Sequence, residues 1–98
     1  MRRLHYSPAA QNDLDIIYDY TLENWGIVRA EHYVRELHEA CCELANGHIK
    51  GQSVDFVRQG YFKKFIGSHV VFYKYPTPHI MEVVRILHQR MDVEAHLN

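Results

Sequence analysis

The sequence predicts an α+β fold: a short N-terminal strand, then an antiparallel helix hairpin packed on one face of an antiparallel β-meander. Three observations predict it. The first half of the chain carries two runs of apolar residues at helical spacing, separated by a single glycine. The second half is rich in β-branched and aromatic residues and is punctuated by Gly67-Ser68 and Pro76-Thr77-Pro78. At 98 residues there is room for one core, so the chain reads as a single domain over 1–98.

Residues 2–6 alternate enough to form a first strand. Ser7-Pro8 then starts a helix, with Ser as N-cap and Pro at the first helical position, where its missing N–H costs nothing. Ala10, Leu14, Ile17, Thr21 and Trp25 recur on one helical face, and Gly26 is free to take a left-handed stop, so the helix is expected over 8–24. Trp25 is expected to close this helix against the next one. Ala30, Tyr33, Val34, Leu37, Cys41 and Leu44 hold the same period in a second helix, ended by Asn46-Gly47. The pair forms an antiparallel hairpin about a Trp-Gly corner. Asp15, Asp19 and Glu23 form a stripe along the first helix, read as a solvated outer face. Cys41 and Cys42 are adjacent and so point about 100° apart on a helix, one to the core and one to its edge. With no further cysteine, a disulfide framework or a zinc ribbon is excluded.

After residues 48–53 the pattern turns to strands: a short one over 54–57, a hairpin of 61–66 and 69–75, and a long strand over 80–88. A last helical turn is expected within 90–97. A two-residue turn at Gly67-Ser68 pairs Ile66 with His69, Phe65 with Val70 and Phe62 with Tyr73. One face of the hairpin then carries Tyr61, Lys63, Phe65, Val70, Phe72 and Lys74; the other carries Phe62, Lys64, Ile66, His69, Val71 and Tyr73. Both faces are apolar, and one helix hairpin covers only one of them. The other face is either a docking surface for an obligate partner or is covered by the C-terminal segment.

Composition narrows the function. Apolar residues at 47% and charged residues at 23% make a globular chain. Eleven basic against twelve acidic residues give a net charge of -1, which argues against gripping nucleic acid by bulk charge, and no sequence-specific nucleic-acid binding is expected. No apolar run reaches membrane-span length, and MRRLHYSP has no hydrophobic core of a signal peptide, so a cytoplasmic protein with no membrane contact is expected. The eight histidines show no ligand spacing; no metal and no cofactor are expected.

One cluster could carry chemistry: Arg85-Ile86-Leu87-His88-Gln89-Arg90-Met91-Asp92, at the end of the last strand. A nuclease could use Arg85 and Arg90 to hold a scissile phosphate and His88 as general acid or base. Alternatively the arginines pair with Asp92, Glu94 or Glu82 and His88 caps the edge.

The run Gly60-Tyr61-Phe62-Lys63-Lys64-Phe65-Ile66-Gly67-Ser68-His69-Val70-Val71-Phe72-Tyr73, the Arg85 to Asp92 cluster and the His96-Leu97 that follows resemble the ParE toxins, the gyrase-poisoning branch of the RelE/ParE superfamily of toxin–antitoxin systems. Ser7-Pro8, Asp13-Leu14, Ile17, Tyr20, Trp25-Gly26, Ala30 and Tyr33 fit the same pattern. The resemblance implies the toxin of a type II module, inhibiting DNA gyrase and blocking replication, neutralised by a ParD-like antitoxin. It implies no enzyme activity. Antitoxin contacts are expected on the hairpin face that the helices leave uncovered, at Tyr61, Lys63, Phe65, Val70, Phe72 and Lys74; target contacts are expected in the stretch from Arg85, at Arg85, His88, Arg90 and Met91, a placement that the resemblance itself does not supply. The superfamily's other branch, the ribosome-dependent mRNA endonucleases, is the alternative; its site would be His88, Arg85 and Arg90. Those enzymes carry an arginine where this chain has Val70, and they are strongly basic.

Overall fold

In the computed structural model, which describes residues 2–91 and 96–97, the helices and long strands follow the expected order, with one added strand pairing and with a short strand at Gln52–Ser53 in place of the one expected over 54–57. Strand β1 (Arg3–Tyr6) leads into helix α1 (Pro8–Trp25), and helix α2 (Ile27–Asn46) follows after Gly26 alone. Strands β2 (Gln52–Ser53), β3 (Phe62–Ile66), β4 (His69–Thr77) and β5 (Ile80–His88) complete a five-stranded sheet in the order β1-β5-β4-β3-β2. The meander is antiparallel, but β1 lies parallel to β5, so the sheet is mixed. The chain passes through both helices and the rest of the meander between these two strands, which is long enough to bring β1 alongside β5 in the same direction.

Ser7 caps α1 from both sides. Its Oγ accepts from the N–H of Ala10 at 3.0 Å and donates to the carbonyl of Val84 at 2.7 Å, tying the helix start to β5. Ala10, Leu14 and Ile17 of α1 and Leu37, Cys41 and Leu44 of α2 then bury against Ile66, Val71, Tyr73, Met81, Val83 and Ile86 on one sheet face. Asp15, Asp19 and Glu23 are exposed, as expected of an outer face.

Trp25 departs from the expectation: it is 64% exposed, beside Ile27 at 55% and Val28 at 80%. The apolar period places it near the inner face of α1, but its ring stands mostly in solvent, with the Arg29 guanidinium 5.2 Å from the ring centroid.

The hairpin register is the expected one, with Ile66 opposite His69, Phe65 opposite Val70 and Phe62 opposite Tyr73. Gly67 takes φ 58° at the first turn position, and among the described residues only glycines have positive φ. A Cβ on Gly67 would also meet the Tyr33 ring at 2.8 Å. Gly67→Ala is thus expected to lose about 1–3 kcal/mol, read from urea unfolding; an unchanged midpoint would show that the turn adapts.

The second sheet face takes the covered outcome. Val54 and Leu97 close over Tyr61, Val70, Phe72 and Leu87 in a second apolar cluster. Tyr61, Val70 and Phe72 are consequently only 8%, 5% and 1% exposed and are not an open docking surface; Phe65 on the same face stays 53% exposed. The strand expected over 54–57 is a turn instead, because the Val54 N–H bonds to the Tyr61 carbonyl and the N–H groups of Val57 and Arg58 both bond back to the Val54 carbonyl. That fold drives Val54 inward. Of the last helical turn expected over 90–97, residues 92–95 lie outside the described residues.

Candidate functional site

The end of β5 is built around a carboxylate. Asp13 sits on the buried side of α1 between Ala10, Leu14 and Ile17, and is 7% exposed. Its Oδ2 accepts from Arg85 Nε at 2.8 Å and from the Ile86 N–H at 2.9 Å, and its Oδ1 accepts from Arg85 Nη2 at 2.8 Å. This is a forked, charge-assisted pair with a third backbone donor. The Asp13 carboxylate holds the Arg85 guanidinium even more firmly charged than usual. Arg85 Nη1 donates in addition to the His96 carbonyl at 3.3 Å. Arg85 is therefore a structural residue joining α1 to β5. The two acidic partners considered for it at 92 and 94 lie outside the described residues, and Glu82 instead faces Lys74 at 3.6 Å.

One strand over, the hairpin turn meets α2. The Ser68 N–H donates to Tyr33 Oη at 3.1 Å, so the Tyr33 hydroxyl proton goes to His69 Nδ1 at 2.6 Å. The His69 ring meets His88 edge-on, with centroids 5.4 Å apart. His88 Nδ1 accepts from the Arg90 N–H at 3.2 Å. Burial, then the neighbouring His88, lower the His69 pKa from 6.5 to about 4. Arg90 and Met91 are exposed beyond this pair. Of the four residues expected to meet a target, Arg85 is thus held by Asp13, His88 is half-buried, and Arg90 and Met91 are exposed.

The low value at His69 has a consequence for stability. Between 6.5 and about 4 the unfolded chain binds a proton at this position that the folded chain does not. Stability is expected to fall as the pH drops through that window and the slope to vanish below it. His69→Gln should lack this part of the acid-side loss in urea unfolding across the window; an identical slope would assign it to other groups.

Two further surfaces remain. On the second sheet face, Lys63 and Lys74 are half-buried, with Lys63 Nζ 5.1 Å from the Phe65 ring centroid and Lys74 Nζ 5.6 Å from that of Tyr61. At the helix hairpin, Ile16, Tyr20, Trp25, Ile27 and Val28 are each more than half exposed. Of these five, only Trp25 belongs to the apolar periods read from the sequence.

A family model described as the ParE toxin of the type II toxin–antitoxin system, parDE, matches residues 4–93. The chain belongs to the ParE toxin family. Its curated relatives include Toxin ParE1 of Mycobacterium tuberculosis (strain ATCC 25618 / H37Rv), 45% identical over 91 residues and covering 93% of both chains. Toxin ParE1 of Caulobacter vibrioides is 38% identical over 97 residues, 99% of both. Among solved structures, the chromosomal ParDE system from P. aeruginosa superposes with a TM-score of 0.75 at 20% identity, covering 90% of this chain and 96% of that one. The YoeB-YefM complex from Staphylococcus aureus gives 0.58 at 18% identity, covering 91% and 98%. At these identities the likeness carries the fold alone.

This ParE toxin is thus two helices on a mixed five-stranded sheet, the toxin half of a type II toxin–antitoxin pair by family. Among the described residues, no helix is long and apolar enough to cross a membrane. The residues that sequence reasoning missed are Asp13, Tyr33 and His69. Asp13 left a signal, an acid inside the apolar stripe of α1; Tyr33 and His69 left none, being 36 residues apart.

Proposed function

We propose that this ParE toxin acts by binding DNA gyrase in the cytoplasm and blocking replication, rather than by cutting RNA, and that a ParD-like antitoxin neutralises it. The observation that carries the choice is the commitment of Arg85 to Asp13. A phosphodiester-cleaving site needs a free cation aimed at the phosphate beside its acid or base. Here Arg85 is already forked onto a carboxylate, and the corresponding position on β4 is Val70, 5% exposed. Contact energy at His88, Arg90 and Met91 is the simpler use of this end of the sheet.

The antitoxin reading is supported by exposed apolar area. The Trp25 corner offers a large aromatic side chain among aliphatic neighbours, the composition that dominates binding energy at interfaces. On the sheet side, Phe65 with Lys63 beside it and Lys74 further along the same face suits an acidic, apolar segment; Tyr61, Val70 and Phe72 are the buried part of that face.

Two experiments test the proposal. Purified toxin is assayed against gyrase supercoiling and against translating ribosomes side by side. Supercoiling should fail and mRNA stay intact; early mRNA cleavage at ribosomes, abolished in His88→Ala, would overturn the gyrase reading. Separately, Trp25→Ala should leave the melting temperature of the free toxin nearly unchanged, since the ring is mostly in solvent, and weaken the antitoxin by about tenfold or more. Unaltered affinity would remove the corner from the interface.

A further inference from the structure

Past the end of β5 the chain turns, and each of the three N–H groups that follow His88 has a partner. The Gln89 N–H donates to the Ser68 carbonyl at 3.0 Å. The Met91 N–H donates to the His88 carbonyl at 2.9 Å, which closes a β-turn over 88–91. Between them, the Arg90 N–H donates to His88 Nδ1 at 3.2 Å. Two of these acceptors are backbone carbonyls, which any residue supplies. The third is a side chain, so the Arg90 N–H is the link of this turn that depends on residue type.

A side chain at the first turn position that accepts from the N–H two residues on is ordinarily asparagine or aspartate. Here an imidazole takes that part. Because Nδ1 accepts, the neutral ring carries its proton on Nε2. The ring itself is held. His88 stands opposite His69 on the neighbouring strand, meets it edge-on at 5.4 Å between centroids, and is half-buried. His69 is fixed in turn by the Tyr33 hydroxyl at 2.6 Å. Ser68, whose carbonyl anchors Gln89, donates its own N–H to the same hydroxyl at 3.1 Å. One tyrosine of α2 thus steadies both the His69 ring beside His88 and the hairpin turn that Gln89 is tied to. Arg90 and Met91 stand exposed on the turn so built.

We propose that His88 is a positioning residue: its Nδ1 caps the 88–91 turn and so sets where Arg90 and Met91 meet the target. This rests on the gyrase reading above and refines the part that reading gives to His88. The cap uses Nδ1, whereas a direct contact or a proton transfer at the target would use Nε2, the ring nitrogen that the turn does not occupy. Two amide side chains separate these uses. The Oδ1 of asparagine takes the place of Nδ1 and can accept from the Arg90 N–H. Glutamine, one methylene longer, carries its amide to the place of Nε2 and leaves the cap unmade.

The test reads inhibition of gyrase supercoiling by the full chain and its variants, with hydrogen exchange at the Arg90 amide followed by NMR and circular dichroism showing that each variant is folded. His88→Ala and His88→Gln should each weaken inhibition about tenfold and speed exchange at Arg90. His88→Asn should bring inhibition back to within about threefold of the unaltered chain and slow the exchange again. Arg90→Ala should also weaken inhibition about tenfold, and adding His88→Ala to it should cost less than the same change alone, because the residue being placed is already gone. If His88→Ala does not fold, asparagine against glutamine decides. Inhibition kept by His88→Gln and lost by His88→Asn would move the role to Nε2 and overturn the assignment. Losses that multiply in the double variant, or Arg90 exchange that is alike in every variant, would overturn it too. An unaltered chain that leaves supercoiling intact would overturn the gyrase reading instead, and exchange at Arg90 then decides the cap by itself.

Discussion

Asp13→Ala is expected to cost the chain about 3–5 kcal/mol, the loss typical of removing one partner from a buried ion pair. Three donors converge on this carboxylate: two from the Arg85 guanidinium and one from the Ile86 backbone. Alanine leaves a guanidinium with 23% side-chain exposure and an interior N–H without an acceptor. Asp13→Asn keeps an acceptor but loses the charge, and should fall between. Replacing both partners together, Asp13→Leu with Arg85→Met, should recover most of the loss, because no charge is then stranded. Urea unfolding of the unaltered chain and these variants is the measurement. A loss below about 1 kcal/mol in Asp13→Ala would mean that the pair is solvent-screened and that Arg85 is free for a target. The same series bears on function, since Arg85→Met with Asp13→Leu should keep gyrase inhibition if Arg85 only holds α1 to β5.

Phe72→Ala should cost the isolated toxin about 3–5 kcal/mol, as burial of a full aromatic ring predicts. Phe72 is 1% exposed within the cluster closed by Val54 and Leu97. An open sheet face awaiting a partner would give a different result: a small loss in the free toxin and a large one only in the complex. Phe65→Ala, on the same face but 53% exposed, is the internal comparison and should cost less than about 1 kcal/mol in the free chain. Its effect belongs in antitoxin affinity. Equal losses for the two variants would show that the face is not divided as described.

Much of this architecture was legible because it rests on local periods and turn chemistry. Ser7-Pro8 starts α1 and Gly47 ends α2 by capping rules that need no tertiary context. Gly67 at the hairpin turn sets the register, and a strand period of two then assigns every side chain of 61–66 and 69–75 to a face. Even Asp13 was visible as an acid in an apolar stripe, although its partner was not. Arg85 is 72 residues away, and nothing local in a sequence says which cation an acid will meet.

The amino-acid sequence by itself determined the two helices, the long strands, the hairpin register, the two apolar faces of the sheet and the family resemblance, because each depends on residues close along the chain; the short strand expected over 54–57 was not among them. Tertiary structure alone decided how far each layer extends. Helical period marks which side of α1 Trp25 occupies, but only the packed structure shows that its ring stays in solvent. It also decided that the chain's own Val54 and Leu97 close the second face, and that Arg85 is spent on Asp13. Those outcomes depend on contacts between residues distant in sequence, where burial and charge pairing are settled by which surfaces meet and not by local pattern.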